Sequence, residues 1–111
     1  MTVTIYALKS CDSCKKAIKA LTAAGHELKI IDVRADGVPE DQLAAWLATH
    51  GGEIVVNRKS TTWRGLDEVA RSAAPLDLLK AHPTLLKRPV IIADGTSHIG
   101  WGRDVQAEFG L

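Results

Sequence analysis

The chain has 111 residues, which suits one domain, and its apolar fraction of 46% and charged fraction of 24% are typical of a globular protein. Acidic and basic residues nearly cancel to leave a formal charge of +1, so the overall charge gives no sign of direct nucleic-acid binding. No apolar run approaches the roughly 20 residues that span a bilayer, and the first residues lack the pattern of a signal peptide, so we expect a cytoplasmic protein without membrane contact.

The first third of the chain predicts a strand, a helix and a second strand. Residues 3–8 are rich in β-branched side chains, which favour a strand. From residue 12, apolar side chains recur at helical spacing, at Cys14, Ala17, Ile18 and Leu21. Residues 28–33 predict a second strand, in which Ile30 and Ile31 indicate burial on both faces. This order is typical of two parallel strands joined by a crossover helix.

The middle of the chain is largely helical in its pattern. Pro39 can open a helix whose apolar phase places Trp46 in the core. Residues 57–64 then form a polar and basic segment. Weak helical patterning follows at residues 66–70, and clearer patterning at residues 75–79.

The last quarter predicts a hairpin and a closing helix. Residues 90–93 are apolar and predict a strand, and Asp94-Gly95 is a two-residue hairpin signal that leads into a strand over residues 96–99. Residues 104–109 predict a short helix.

The order of elements is therefore βαβ, a helical insert, and ββα. A four-stranded mixed sheet, parallel in its first half and antiparallel in its last hairpin, satisfies this order with helices on its faces. This arrangement is the thioredoxin-like α/β fold. We expect a single domain over residues 1–111, with the helical insert at about 38–82.

Two cysteines three residues apart carry the clearest chemical signal. Cys11 lies where the first strand gives way to the helix, and free N–H groups at a helix start favour a thiolate. Lys9, Lys15 and Lys16 add positive charge nearby. Cys14 falls one turn later on the apolar side of the helix and should be more buried. Cys11 is thus the candidate nucleophile, and Cys14 the candidate thiol that resolves a mixed disulfide.

Other interpretations of the pair are a zinc site and a core residue. A CxxC can supply half of a zinc site, but neither a second CxxC nor a close histidine pair supplies the remaining ligands, so we expect no metal. Cys14 can also be a small core residue, since cysteine is often buried, with Cys11 working alone. The sequence leaves this last alternative open.

Three separated passages resemble the arsenate reductase/Spx family. They are IYALKSCDSCKKA at residues 5–17, NRKSTTWR at residues 57–64 and HPTLLKRPV at residues 82–90. This family has a thioredoxin-like fold with a helical insert. The second passage is most similar to the small YffB-type proteins, which are proposed to be glutathione-dependent thiol reductases.

The resemblance implies specific roles at the site. Cys11 matches the family's nucleophile, Arg88 an arginine beside the active site, and Pro89 the cis proline that follows it. Physically, a guanidinium next to Cys11 stabilises a thiolate and can fork onto an anion. Candidates for binding an anionic substrate are Arg58 and Arg64 in the insert, together with Pro89.

Two further positions of the resemblance bear on the substrate. Asn57 occupies an insert position where arsenate-reducing members carry an arginine, and we count it with the candidate anion-binding residues. After the last strand, Gly100-Trp101 replaces another such arginine, which argues against arsenate reduction. We expect the Trp63 side chain to pack within the protein rather than to contact substrate.

The resemblance implies a thiol-disulfide oxidoreductase. We expect a monomer with no bound cofactor that uses glutathione as co-substrate, or a glutaredoxin or thioredoxin-like protein as partner. The alternative is an Spx-type regulator that binds RNA polymerase through a surface switched by a Cys11–Cys14 disulfide. The CxxC favours the regulator, and the passage at residues 57–64 favours the enzyme.

Overall fold

The computed structural model describes residues 2–111. Its strands and helices, in chain order, are β1 (Thr2–Ala7), α1 (Asp12–Ala23), β2 (Glu27–Asp32), α2 (Glu40–His50), α3 (Gly52–Val55), α4 (Thr61–Arg64), α5 (Glu68–Arg71), α6 (Pro75–Ala81), a 3₁₀ turn (Pro83–Leu85), β3 (Val90–Ala93), β4 (Thr96–Ile99) and α7 (Arg103–Glu108). None of the helices in this part of the chain has the length and apolar content needed to cross a membrane.

The four strands form one mixed sheet in the order β2-β1-β3-β4. β1 runs parallel to β2 and antiparallel to β3, and β3 pairs antiparallel with β4. The β3–β4 turn takes positive φ at both Asp94 (50°) and Gly95 (74°), as a two-residue hairpin requires. The predicted mixed sheet, hairpin and thioredoxin-like fold are confirmed.

The chain forms two compact units, of which the first, made by residues 2–36 and 88–111, holds the sheet. The second unit, residues 37–87, is helical. A single domain with an insert at about 38–82 stays a prediction. In the first unit, one face of the sheet packs on α1 and α7, and its buried side chains are Val3, Ile5, Ala7, Cys14, Ala17, Leu21, Ile91, Ala93 and Val105.

α1 has defined ends that set the register of the strand after it. Cys11 is its N-cap residue, with extended backbone at φ −88° and ψ 116°. At the other end, the N–H of Gly25 donates to the Thr22 carbonyl and the N–H of His26 to the Leu21 carbonyl, both at 3.1 Å. This paired closure needs the positive φ that Gly25 adopts (91°), and β2 begins two residues later.

The second unit confirms the predicted core position of Trp46, which is 2% exposed on α2. It also contains one-turn helices: α4, which the sequence did not predict, and α5, which overlaps the weak helical pattern at residues 66–70. In α4, the Ser60 hydroxyl oxygen accepts the Trp63 N–H at 3.2 Å, and in α5 the Asp67 carboxylate accepts the Ala70 N–H at 2.8 Å. Helices this short contain no full period of apolar side chains, so local caps define them.

The prediction that Ile30 and Ile31 are buried on both faces of β2 was wrong. Ile30 is 53% exposed, and Ile31 is half-buried. The reason is topological: β2 is an edge strand, whereas its neighbour β1 lies between two strands. An apolar run alone does not distinguish an edge strand from a central one.

The register pairs Ile5 of the central strand β1 with Ile30 of the edge strand β2. Substituting each of them therefore tests the difference in burial between a central and an edge strand. We expect Ile5→Ala, at a side chain with no exposed surface, to lower the free energy of unfolding by about 3–4 kcal/mol because it leaves a cavity. Ile30→Ala should cost only about 1 kcal/mol, since water already reaches its side chain. Denaturant titration followed by circular dichroism measures both values, and equal losses would contradict the central-versus-edge assignment.

Candidate active site

Cys11 lies at the junction between the β1 segment and α1, as predicted. Its N–H donates to the Leu8 carbonyl at 3.0 Å, and its own carbonyl accepts the Lys15 N–H at 3.1 Å in the first turn of α1. The residue is half-buried, so its sulfur is shielded without being closed off from solvent. It is therefore placed at a helix N-terminus, where free N–H groups stabilise negative charge.

The pKa of Cys11 is set by opposing effects. Burial raises it, but the thiol and backbone N–H of Cys14 act against burial because both stabilise the thiolate. The positive charge and hydrogen bonding of Arg88 add to this effect. The outcome is a pKa below the ordinary value of 9.0, so Cys11 is the more readily ionised of the two thiols.

Cys14 has the opposite electrostatic character. It is 1% exposed and packs in the core of the first unit. Burial, and then its hydrogen bond with the Cys11 sulfur, raise the pKa of Cys14 to about 12. The two cysteines are not joined by a disulfide. At neutral pH Cys14 is thus a protonated thiol that donates toward Cys11.

Arg88 and Pro89 follow directly after the second unit and enter β3. Arg88 is half-buried and interacts with the Cys11 sulfur. The Arg88–Pro89 peptide bond is cis, and Pro89 is fully buried. The structure thus brings Cys11, Cys14 and Arg88 together, with Pro89 next to Arg88 in the chain. The sequence predicted positive charge near Cys11 from lysines, and in the structure Arg88 supplies it.

A cavity of about 360 Å³ lies beside Cys14, and the sequence did not predict it. Its lining includes Cys14, Ile18 and the exposed Ile30 of the edge strand, with Lys9 and Lys15 around it. Because the sequence predicted a buried Ile30, it gave no sign of an open cavity at this edge of the sheet.

The remaining predicted site residues belong to the second unit. Asn57 accepts the Lys59 N–H through its side-chain oxygen at 3.1 Å, so that oxygen shapes the local turn. Arg58 and Arg64 are exposed, and Arg58 lies over the Trp63 ring at 5.6 Å from its centroid. Roles for these residues in anion binding stay predictions.

Histidine, cysteine, aspartate and glutamate side chains in residues 2–111 form no cluster of three or more that could hold a metal ion. The described site itself brings two thiols and a guanidinium into contact.

The sequence model of the ArsC family matches residues 6–109, which include both cysteines, Arg88 and the whole second unit. The chain belongs to the ArsC family. This membership confirms the resemblance drawn from the three passages, and it places the chain among thiol oxidoreductases of thioredoxin-like fold.

Individual relatives agree with this assignment. An uncharacterized protein of Haemophilus influenzae is 39% identical over 112 residues, which cover 96% of this chain and 98% of that protein. The global transcriptional regulator Spx of Streptococcus pyogenes is 27% identical over 107 residues, covering 92% of this chain and 80% of the regulator. The solved structure of a YffB protein superposes with a TM-score of 0.88 at 33% identity and covers 96% of both chains.

The asymmetry of the pair predicts the pH dependence of thiol alkylation. A lowered pKa means that Cys11 becomes thiolate as the pH rises toward 9.0, so its iodoacetamide reaction should reach half its maximal rate below pH 9.0. Arg88→Gln should move this midpoint upward, because it removes a positive charge that favours the thiolate. The midpoint is measured from the rate of alkylation at a series of pH values, with samples quenched at set times and the modified cysteine identified by mass spectrometry.

Lys16→Gln provides the matched control, since Lys16 is an exposed cation on the same helix. It should leave the midpoint within a few tenths of a pH unit of the unmodified protein, on the order of a screened surface charge. An equal shift in both variants would show that general positive charge, rather than Arg88, stabilises the thiolate.

Proposed function

We propose that this chain is a cytoplasmic, glutathione-dependent thiol-disulfide oxidoreductase with Cys11 as its nucleophile. The observation that carries this proposal is the position of the Cys11 sulfur at the start of α1, where the thiol and N–H of Cys14 and the guanidinium of Arg88 lower its pKa despite burial. A nucleophile with a lowered pKa at a partly exposed position is what disulfide attack requires. ArsC-family membership supports the same class of chemistry.

The proposed cycle consists of two thiol–disulfide exchanges. The Cys11 thiolate attacks the glutathione sulfur of a mixed disulfide, a bond forms between these sulfurs, and the substrate leaves as a thiolate that takes a proton from water. A second glutathione thiolate then attacks the glutathione sulfur held on Cys11. Glutathione disulfide leaves and the Cys11 thiolate returns, so one glutathione is oxidised while the substrate disulfide is reduced to a thiol.

Arginine residues give the proposed cycle its preference for glutathione. Arg88 stabilises the Cys11 thiolate each time it is the leaving group, because its charge favours the ionised form. Glutathione carries carboxylates, and guanidinium groups bind carboxylates through paired hydrogen bonds. We propose that Arg58 and Arg64, with Asn57 and Pro89, contribute to binding this co-substrate. A glutaredoxin or thioredoxin-like protein can deliver the same electrons.

Cysteine variants test the proposed cycle directly. With the mixed disulfide of glutathione and 2-mercaptoethanol as substrate and glutathione as reductant, Cys11→Ser should reduce turnover to the uncatalysed rate because no nucleophile remains. Cys14→Ser should keep at least about a tenth of the rate, since external glutathione resolves the intermediate. The rate of glutathione disulfide formation measures both, and mass spectrometry of the Cys14→Ser protein should detect glutathione on Cys11.

The two serine variants control for each other, because each removes one sulfur from the same turn of the chain. Turnover that survives Cys11→Ser would disprove the proposed nucleophile. Loss of turnover in Cys14→Ser, with glutathione still attached to Cys11, would show that Cys14 resolves the intermediate and that glutathione is not the direct reductant.

A second candidate function is a redox-switched regulator that binds RNA polymerase. The similarity to Spx over 107 residues favours it, as does the contact between the Cys11 and Cys14 sulfurs. In this candidate, a Cys11–Cys14 disulfide forms with loss of two electrons and two protons to an oxidant such as a disulfide. The change at the start of α1 then alters the partner surface.

A pull-down from bacterial extract tests the regulator. Protein oxidised with a dithiol oxidant and protein held reduced should retain different amounts of RNA polymerase, as quantified by mass spectrometry. A Cys11→Ser/Cys14→Ser variant provides the reference that cannot switch. Equal retention in all three samples, or none in any, would leave the enzyme as the function to pursue.

A further inference from the structure

The segment that carries Arg58 and Arg64 is held by a residue outside every motif of the sequence, Arg71. This residue ends α5, eight positions after Trp63. Its Nε and Nη2 atoms donate to the Trp63 carbonyl at 3.2 and 3.1 Å, and Nη2 also lies 3.3 Å from the Arg64 carbonyl. These are the last two carbonyls of α4, and the Trp63 carbonyl also accepts the Leu66 N–H at 3.1 Å.

Arg71 holds the Trp63 side chain as well as its backbone. The Arg71 guanidinium carbon lies 5.4 Å from the centroid of the Trp63 ring, within the range of a cation–π interaction. Arg58 lies at 5.6 Å from the same centroid. Trp63 is therefore in contact with two guanidinium groups, of which Arg71 is half-buried and Arg58 is exposed.

Arg71 and Arg58 differ in the groups that stabilise the positive charge of their guanidinium groups. Over residues 2–111, neither guanidinium has a carboxylate within ion-pair distance. Arg71 has carbonyl acceptors for its charge. Arg58, in contrast, is exposed over the Trp63 ring, and no hydrogen bond or ion pair of its guanidinium is found in residues 2–111, so its N–H groups are available to an anion in solution.

The same segment is fixed on another side by the chain that leads to Arg88. The Thr62 and Thr84 hydroxyls are 2.8 Å apart, and the Asn57 N–H donates to the Leu85 carbonyl at 2.7 Å. The Lys87 N–H donates to the Val55 carbonyl at 2.8 Å. Within the second unit, the backbone on both sides of Arg58 is thus tied to the residues immediately before Arg88.

We propose that Arg71 is a positioning residue for anion binding: it holds Trp63, and through the ring of Trp63 it fixes where Arg58 presents its guanidinium. The kinetic part of this inference rests on the proposed reductase function, with a glutathione carboxylate as the anion. A lysine cannot replace Arg71, because a single ammonium group cannot reach two carbonyls while lying over the indole.

Arg71→Lys keeps the charge and removes the fork. We expect it to raise the KM for the mixed disulfide of glutathione and 2-mercaptoethanol by about fivefold to tenfold, because misplaced binding groups weaken substrate binding. The kcat should stay within about twofold, as expected when binding outside the reacting atoms is lost. The pH midpoint of Cys11 alkylation should not move, since Arg88 is unchanged.

A spectroscopic measurement makes the test independent of turnover. The near-ultraviolet circular dichroism signal that Trp63→Phe removes is the contribution of Trp63. Arg71→Lys should remove at least about half of that contribution, because the ring loses its fixed cation and its carbonyl clamp. Arg34→Lys, which changes an exposed arginine of the first unit, provides the matched control and should alter neither KM nor the spectrum.

The outcomes separate this inference from the proposed function. An unchanged KM in Arg71→Lys would overturn the positioning role, whether or not the spectrum changes. If the unmodified protein shows no turnover, the proposed function fails. Retention of the Trp63 signal in Arg71→Lys would then overturn the clamp as well, whereas its loss would support the clamp.

Discussion

The packing of α1 on the central strand β1 decides where both thiols lie. Cys14 belongs to the same helical stripe as Ala17 and Leu21, and this stripe is buried against β1. Because Cys11 precedes Cys14 by three residues, it lies nearly one turn back, at the N-cap position where the helix begins. The helix cannot shift along the strand without exposing its stripe, so core packing fixes the reactive sulfur at the rim of the same face.

This constraint gives two neighbouring thiols opposite properties. Burial raises the pKa of both thiols, and at Cys14 the hydrogen bond with the Leu8 backbone and the charge of Arg88 do not offset it. At Cys11, hydrogen bonds from Cys14 and the charge of Arg88 lower the pKa and outweigh burial. Cys14 can donate its hydrogen bond because its own burial keeps it protonated. The core therefore does more than hold the helix: by keeping Cys14 protonated, it supplies a donor that stabilises the thiolate of Cys11.

The sequence predicts those parts of this arrangement that depend on periodicity or on a local turn. The stripe of α1, the hairpin at Asp94-Gly95 and the four strands all follow from such patterns. The exposure of Ile30 does not, because it depends on which strand lies at the sheet edge. The position of Arg88 came from family resemblance, since no local pattern brings a residue 77 positions away to Cys11. The clamp by Arg71 left no signal, because its hydrogen-bond acceptors are backbone carbonyls, which every residue has.

The properties of Cys14 also bear on the choice between turnover and switching. A mixed disulfide on Cys11 is neutral, so the charge with which Cys11 raises the pKa of Cys14 disappears once the intermediate forms. Burial, the largest cause, remains, and it keeps most of Cys14 protonated at neutral pH. A small thiol in solvent has no such penalty, and only thiolates attack disulfides. The proximity of Cys14 favours an internal disulfide, whereas its burial favours resolution by glutathione. In the proposed cycle, glutathione attacks the mixed disulfide on Cys11 before Cys14 ionises. Cys14 then stays protonated and remains the hydrogen-bond donor to the Cys11 thiolate when that thiolate returns.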